Sequence, residues 1–302
     1  MSEQYKTEEY YFPKYEIFDD ILNDVFDITW QKGLPKESRV FSIIDPEIKS
    51  GCVDDGTVVY QYNKNFFRSD DFKRVHDGKH ILFSGCSETE GVGGNIEDSW
   101  SHILYNRISK EEKCSGFFNL AKSGWGWSRI IPNSLIYFKK YGYPDVFFIM
   151  LPNHQRKFYY EENDFSDENF IYWQTYPSSY FTYKEKYKIE RTSTPKEYLE
   201  DFVNFLINWK TFCELCKSNN VKLIFSTWDI LDGTNLKDTG FDNFFEMEFG
   251  EKLKKFTKNW YDNNDIKPDD NKKRDGHRGR IIHNYWADEF YKQYKGVNNK
   301  NV

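Results

Sequence analysis

The sequence lacks the features of secreted, membrane-spanning and disulfide-stabilised proteins. Its five cysteines are an odd number at spacings that form no disulfide framework, so a reducing compartment fits best. No segment approaches the roughly 18 consecutive apolar residues that a membrane-spanning helix needs. The first residues, MSEQYKTEEYYFPKYE, are polar and acidic, whereas a signal peptide has an apolar stretch behind a basic start. We therefore expect a cytoplasmic protein.

The chain also lacks an excess of positive charge. Lysine and arginine number 42 against 48 aspartate and glutamate residues, and the net charge is −6. No Lys/Arg-rich run with interleaved aromatic residues is present, so the charge pattern does not favour nucleic-acid binding. A neutral substrate is easier to accept than a strongly anionic one, although a local patch of charge can override this preference.

Aromatic residues are abundant instead, with 27 Phe, 22 Tyr and 9 Trp in 302 residues. A domain of this length buries roughly 75% of its unfolded surface, so it needs neither disulfides nor metals to stay folded. Cys213 and Cys216 form a CxxC inside a helical pattern with no second pair, so we expect core packing rather than metal or redox chemistry. We expect no cofactor.

The pattern along the chain predicts a main domain at 79–302, preceded by an extension at 1–78 that packs on it. Short apolar runs predict buried strands at 80–85, 145–151 and 221–227, and a strand that gives way to a loop within 117–127. Aromatic and aliphatic spacing predicts helices at about 98–110, 127–141, 195–218 and 280–295. The stretch 156–193 has neither pattern and is interpreted as an insertion, either a lid or a partner surface.

Alternation of strands and helices predicts an α/β fold, with a doubly wound, mostly parallel sheet and helices on both faces. Ligands bind at the carboxyl ends of the strands in such sheets. The residues that can carry chemistry in this sequence all follow predicted strand ends.

Ser87 lies in Ser-Gly-Cys-Ser-Glu-Thr-Glu-Gly-Val-Gly-Gly, directly after the predicted strand at 80–85. A serine in a tight turn at this edge has an exposed hydroxyl and a free backbone N–H, as an acyl-transfer nucleophile requires. The alternative is an ordinary strand-to-helix turn in which Ser87 caps the helix. A phosphate-binding loop is disfavoured because the Lys-Ser/Thr of a P-loop is missing.

A base for that serine is offered by Asp275-Gly-His277-Arg-Gly, just before the last predicted helix. Histidine is the usual acceptor of the serine proton, and a carboxylate usually holds its tautomer. Asp-Gly is also a common turn, so His277 as a surface residue is the alternative. His283 is a second candidate base, but it lies within the helix pattern, where a packed or exposed role is expected.

Two further loops offer donors for a developing oxyanion. Asn153 follows the predicted strand at 145–151, and its side-chain amide can donate; the alternative is a strand-ending Pro-Asn turn. Gly124 follows the strand within 117–127, and its backbone N–H can point into a site; the alternative is a loop glycine. Trp125 and Trp127 either line a sugar or acyl pocket or belong to the core.

Together these segments resemble the ordered blocks of the SGNH/GDSL hydrolase superfamily: a nucleophile, then a glycine, then an asparagine, and Asp/His near the C-terminus. GCSETEGVGG resembles the Gly-Cys-Ser variant of the first block, which is associated with phage and environmental members, so a viral origin fits. NLAKSGWG resembles the second block and RDGHRG the last. The resemblance covers about 60–295 and implies a flavodoxin-like sheet.

The resemblance implies a role for each matched residue. Ser87 is the nucleophile and donates its N–H to the oxyanion, to which Gly124 and Asn153 also donate. His277 is the base and Asp275 orients it. Two positions depart from the family: the gap between Asp275 and His277 is two residues instead of three, and the third block reads Leu-Pro-Asn-His where Gly-x-Asn-Asp is usual.

The expected function is hydrolysis of a small acyl ester, most commonly an O-acetyl group on a carbohydrate, with no nucleic-acid or membrane partner. Two alternatives stay open. The same acyl-enzyme supports an acyltransferase. The aromatic N-terminal extension and the insertion at 156–193 motivate the other alternative, a non-catalytic, virion-associated or binding protein on the same fold.

Overall fold

The computed structural model describes most of the region from residue 57 onward and one earlier strand. The described residues are 40–44, 57–63, 65, 67–92, 94–154, 156–160, 172–175, 195–229, 236–264 and 279–296.

A four-stranded parallel sheet forms the centre of the fold. Its strands are β3 (Ile81–Gly85), β4 (Phe118–Asn119), β5 (Val146–Leu151) and β8 (Lys222–Thr227), in the spatial order β4-β3-β5-β8. The chain runs outward from β3 to β4 and then returns past β3 to β5 and β8. This reversal creates a topological switch point beside β3, where doubly wound folds bind their ligands. The predicted α/β class is confirmed.

Six α-helices flank or connect the strands of the described residues. They are α1 (Ser87–Glu90), α2 (Trp100–Ser109), α3 (Trp127–Tyr141), α4 (Pro195–Ser218), α5 (Glu251–Asn264) and α6 (Arg280–Lys295). The predicted helices at 127–141, 195–218 and 280–295 have the observed bounds. The helix predicted at about 98–110 is shorter, because a 3-10 turn (Ile96–Asp98) precedes α2.

Helices cover both faces of the sheet because β3, β5 and β8 carry buried apolar side chains on both sides. In β5, Phe147 and Ile149 face the core formed with α3 and α4, whereas Phe148 and Met150 face the core formed with α2 and α6. Aromatic residues fill much of both cores; the Trp100 ring, for example, stacks on Phe290 with centroids 4.4 Å apart.

The helix α5 lies between β8 and the last helix, in a stretch for which the sequence pattern predicts no helix. Among the side chains of this helix that the structure describes, only Leu253 and Phe256, both partly buried, join the core. So thin an apolar stripe gives little periodic signal. The stretch 156–193, interpreted as irregular, contains an antiparallel pair, β6 (Lys157–Tyr160) with β7 (Tyr172–Thr175); its remainder lies outside the described residues.

The chain before β3 also contributes to the described structure. An antiparallel pair joins β1 (Val40–Ile44) to β2 (Thr57–Gln61). Further along, Phe67 and Phe72 are buried in the core that contains α3 and α4. Part of the predicted N-terminal extension therefore shares the hydrophobic core of the sheet.

The CxxC cysteines lie on α4 and face the core. Cys213 and Cys216 are buried free thiols, and burial raises the pKa of each to about 12. Such thiols are protonated at neutral pH and are poor nucleophiles and poor metal ligands. No helix of the described residues has the length and apolarity needed to cross a membrane.

A stacked histidine pair lies at the end of the sheet where β3 begins. The His80 ring stacks on His76 with centroids 3.6 Å apart, and its Nε2 lies 2.8 Å from the Tyr137 hydroxyl. Burial, followed by the neighbouring His76, lowers the pKa of His80 to about 4, while the carboxylate of Asp145 acts in the opposite direction. The folded protein therefore holds His80 neutral.

We expect this pair to make the fold acid-sensitive. In the folded protein the pKa of His80 lies below the value of about 6.5 that histidine has in the unfolded chain. His80 therefore leaves the free energy of unfolding unchanged above pH 6.5 and lowers it increasingly as the pH falls toward 4, by about 3 kcal/mol at most. Urea denaturation at pH 7.5 and pH 4.5 measures this loss in the free energy of unfolding. His80→Gln should lose clearly less stability over this interval than the wild type; parallel losses in the two proteins would contradict the assignment.

Candidate active site

Four loops meet at the carboxyl edge of the sheet. They follow β3, β4, β5 and β8, and they carry Ser87, Gly124, Asn153 and Asp229 respectively. Because Gly85 is opposite Met150 and Leu151 is opposite Thr227, the ends of β3, β5 and β8 are level within one residue. The topology thus brings three of the sequence-predicted site residues to one edge, at the switch point beside β3.

Ser87 is the first residue of the short helix α1. The residue in the cap position is Cys86, so the interpretation of Ser87 as a helix cap is wrong. Within the described part of the chain, neither the N–H nor the hydroxyl of Ser87 makes a hydrogen bond. The side chain is only 6% exposed, so the hydroxyl is recessed rather than open as predicted.

The turn from β3 into α1 is tight enough to require glycine at position 85. A Cβ on Gly85 would lie 2.2 Å from the Thr89 hydroxyl oxygen and 2.7 Å from the carbonyl oxygen of Met150. The absence of a side chain lets α1 pack directly on the ends of β3 and β5. The position of Ser87 relative to the sheet depends on this close approach.

Gly124 lies in the loop between β4 and α3 with φ at 81°, a left-handed conformation that favours glycine. Asn119 anchors the start of this loop, since its amide donates to Thr89 O of α1 at 3.0 Å while its oxygen accepts from the N–H of Ala121 at 3.1 Å. None of the described residues accepts a hydrogen bond from the Gly124 N–H. The loop therefore lies beside α1, and its Gly124 N–H donates to none of the described residues.

Asn153 follows β5 and is held by a carboxylate from the next strand. Its Nδ2 donates to Asp229 Oδ2 at 2.9 Å. The N–H of Asp229 in turn donates to the Thr227 hydroxyl oxygen at 3.1 Å, and that hydroxyl donates to Leu151 O at 3.0 Å. A carboxylate only accepts hydrogen bonds, so this partner fixes which end of the amide is NH₂. One N–H of the Asn153 amide is thus held by the Asp229 carboxylate.

Trp125 and Trp127 have structural partners. Trp125 is 5% exposed and packs edge-on against Phe67. Trp127 packs on Phe205 of α4, and its indole N–H donates to His154 O at 3.0 Å, which links the loops after β4 and β5. Of the two alternatives, core residue or pocket wall, the contacts favour the core for both.

His283 lies on the first turns of α6, next to α1. Its Nδ1 accepts a hydrogen bond from the Trp100 N–H at 3.1 Å, which places the single proton of a neutral ring on Nε2. Nε2 lies 3.7 Å from Oε2 of Glu88, the residue after Ser87. Both ring nitrogens thus face groups other than the Ser87 hydroxyl, and His283 acts as a buried link between the two helices.

Asp275 and His277 lie outside the described residues, so their predicted roles remain predictions. Gly279, two residues after His277, is the residue that caps α6. Arg280 of α6 donates to Asp98 at 2.6 Å, and the His283–Glu88 contact places this end of α6 beside the Ser87 helix.

Two carboxylates of the site were missed from the sequence. Asp229 follows the predicted strand 221–227 by two residues, so the strand-end rule that selected Asn153 would have selected it as well. Glu90 is 2% exposed on α1 and accepts hydrogen bonds from the loop after β4. Its partners are distant in sequence, and no local pattern indicates them. Among the described residues, no group of three His, Cys, Asp or Glu side chains is arranged to hold a metal ion.

Comparison with known proteins finds similarity at the level of structure. No protein-family model and no curated protein matches the sequence. Among solved structures, the chain is similar to the crystal structure of the YXIM protein of Bacillus subtilis, with a TM-score of 0.37 and 13% identity over 79% of this chain. The chain spans 60% of the length of that protein.

Proposed function

We propose that the chain is a serine esterase of the SGNH type that hydrolyses a small acyl ester, with an O-acetyl group on a carbohydrate as the favoured substrate. The observation that carries the proposal is the position of Ser87. It begins a helix at the switch point of the sheet, with Gly124 on the neighbouring loop on one side and Asn153 on the other. A nucleophile and three converging donors are what acyl transfer requires.

The mechanism proceeds through two steps. His277 takes the proton of Ser87 as Oγ attacks the ester carbonyl carbon, and the carbonyl π electrons move to oxygen. Collapse of this tetrahedral intermediate breaks the bond to the alcohol, which receives the proton from His277. A water molecule then attacks the acyl-enzyme carbonyl carbon and gives a proton to His277. Collapse of this second tetrahedral intermediate breaks the bond to Ser87 Oγ, which takes the proton back from His277 as the acid leaves. Asp275 orients His277 throughout.

The oxyanion is stabilised by donors from three strand ends. The N–H of Ser87 and the N–H of Gly124 supply two backbone donors without described partners. Asn153 supplies the third through its side-chain amide, which Asp229 orients. Donors fixed before the reaction need no reorganisation as charge develops on the oxygen, which is why such groups accelerate the reaction.

Asn153→Ala is expected to lower kcat for an aryl acetate about 10²–10³-fold, because one oxyanion donor is lost while the substrate is still bound. Steady-state kinetics measures the effect. Asn208→Ala is the matched control, since the Asn208 amide is exposed on α4 and donates to Asn204 O. If Asn153→Ala turned over at the wild-type rate, its proposed role would be wrong.

The substrate class is tested by acetate release from aryl acetates and from a panel of O-acetylated saccharides. Hydrolysis of a saccharide at a higher kcat/KM than the aryl ester supports the carbohydrate esterase. Transfer of the acetyl group to an added sugar in preference to water indicates a transferase on the same site. A well-folded protein that releases no acid from any ester contradicts the proposal and favours the binding-protein alternative.

A further inference from the structure

Glu90 joins three separate parts of the chain at the candidate site. Its carboxylate accepts from the backbone N–H of Ser123 at 2.5 Å, from the Tyr62 hydroxyl at 3.2 Å and from Lys122 Nζ at 3.4 Å. Glu90 belongs to the nucleophile helix α1, Lys122 and Ser123 belong to the loop after β4, and Tyr62 follows β2. Gly124 also belongs to the loop after β4, directly after Ser123.

The cluster is buried enough for these bonds to hold the loop in place. The side chain of Glu90 is 2% exposed and that of Lys122 is 14% exposed. A carboxylate removed from water needs a full set of donors, and charge-assisted hydrogen bonds in such surroundings are short and strong. Burial and the nearby Glu90 raise the pKa of Tyr62 well above its ordinary value, so the phenol keeps its proton and donates. Lys122 also lies over the Tyr62 ring, 4.5 Å from its centroid.

The bond to Ser123 fixes the geometry of the next residue. Ser123 precedes Gly124, and the N–H of Trp125 closes the turn onto Lys122 O at 3.2 Å. Holding the Ser123 N–H therefore fixes the peptide plane from which the turn at Gly124 starts. Glu90 lies three residues after Ser87, about one helical turn, so the same short helix carries the nucleophile and the group that holds the loop.

We propose that Glu90 is a positioning residue for the oxyanion hole: it holds the Gly124 loop against the Ser87 helix so that the two backbone N–H groups converge on one oxygen. The inference rests on the proposed esterase function and extends it. Lys122 and Tyr62 complete the hydrogen bonding of Glu90.

Glu90→Gln and Glu90→Asp test the role. The amide of glutamine has one acceptor for three donors, and its NH₂ opposes Lys122. Aspartate keeps the charge, and flexible Lys122 can follow it, but its carboxylate retracts by one methylene from the fixed Ser123 N–H. We expect kcat for an aryl acetate to fall about 10–100-fold in both variants, with KM changed less than about 3-fold, because part of the contribution of one oxyanion donor is lost.

Glu112→Gln is the matched control, because Glu112 also pairs with a lysine and a tyrosine, Lys79 and Tyr294, near the opposite end of the sheet. It is expected to lower the melting temperature without changing kcat. The second readout is the rate at which a fluorophosphonate labels Ser87, since the phosphonyl oxygen uses the same donors; labelling should persist in Glu90→Asp but slow by a factor similar to the fall in kcat.

The outcomes separate the two proposals. A wild type that neither labels nor turns over any ester refutes the esterase and this inference with it. An active wild type, together with folded Glu90→Asp and Glu90→Gln variants that keep the wild-type kcat and labelling rate, refutes the positioning role alone. If the Glu90 variants lower the melting temperature as Glu112→Gln does but leave kcat unchanged, the positioning role is also refuted. Glu90 then contributes only to the stability of the fold.

Discussion

Ser87→Ala is expected to lower ester turnover by about 10⁴-fold or more, the effect of removing the nucleophile of a serine hydrolase. Alanine leaves the oxyanion donors in place, so a small residual rate above that of uncatalysed hydrolysis in water remains. The Ser87 hydroxyl bonds to none of the described residues, and its loss should change the free energy of unfolding by less than about 1 kcal/mol. Steady-state kinetics and urea denaturation measure the two quantities on one preparation.

The matched control for this variant is Ser109→Ala, because the Ser109 hydroxyl is exposed at the end of α2, where it donates to Asn106 O. Full activity is expected there. Substantial turnover in folded Ser87→Ala would show that another group carries the chemistry and would remove the central residue from the proposed mechanism.

Gly85→Ala is expected to lower the free energy of unfolding by about 3 kcal/mol and to abolish most of the activity. The new methyl group would overlap the Thr89 hydroxyl and the Met150 carbonyl oxygen, so α1 has to move away from the sheet. Overpacking a tight contact costs roughly 1–3 kcal/mol, and distortion of the backbone adds a comparable amount. Because α1 begins with Ser87, the displacement also misplaces the nucleophile.

Gly250→Ala provides the comparison for Gly85→Ala. The nearest neighbour of a Cβ at position 250 is a side-chain oxygen of Glu248 at 3.9 Å, so the added methyl group fits. We expect a change of less than about 0.5 kcal/mol there. Equal and small effects of the two substitutions in urea denaturation would contradict the packing described for the turn between β3 and α1.

The framework of the fold could be predicted from sequence because its signals are local. The aromatic spacing of Phe205, Trp209 and Phe212 places a helix face at 195–218, and all three side chains are buried in the core. The uninterrupted apolar run at 145–151 predicts a strand covered on both sides, which β5 is. Ligands bind at the carboxyl ends of parallel strands, and this rule selects the glycine-rich turn after β3 and Asn153 after β5 as candidate site segments.

The rest depends on contacts between distant residues. The hydrogen bond between Glu90 and Ser123 spans two connections of the sheet, and its geometry follows from how α1 and the loop after β4 pack together. The hydrogen bond from Asn153 to Asp229 likewise depends on the register between β5 and β8. For α5, a helix with two partly buried apolar side chains, packing rather than periodicity decides that the segment is helical.

Labelling with a fluorophosphonate probe tests directly whether Ser87 is an activated nucleophile, with the modified residue identified by peptide mass spectrometry. The probe reports an activated serine without knowledge of the substrate. We expect stoichiometric labelling of the wild type at Ser87, and none in Ser87→Ala. A folded wild type that is not labelled, or a label carried by a different serine, would contradict it.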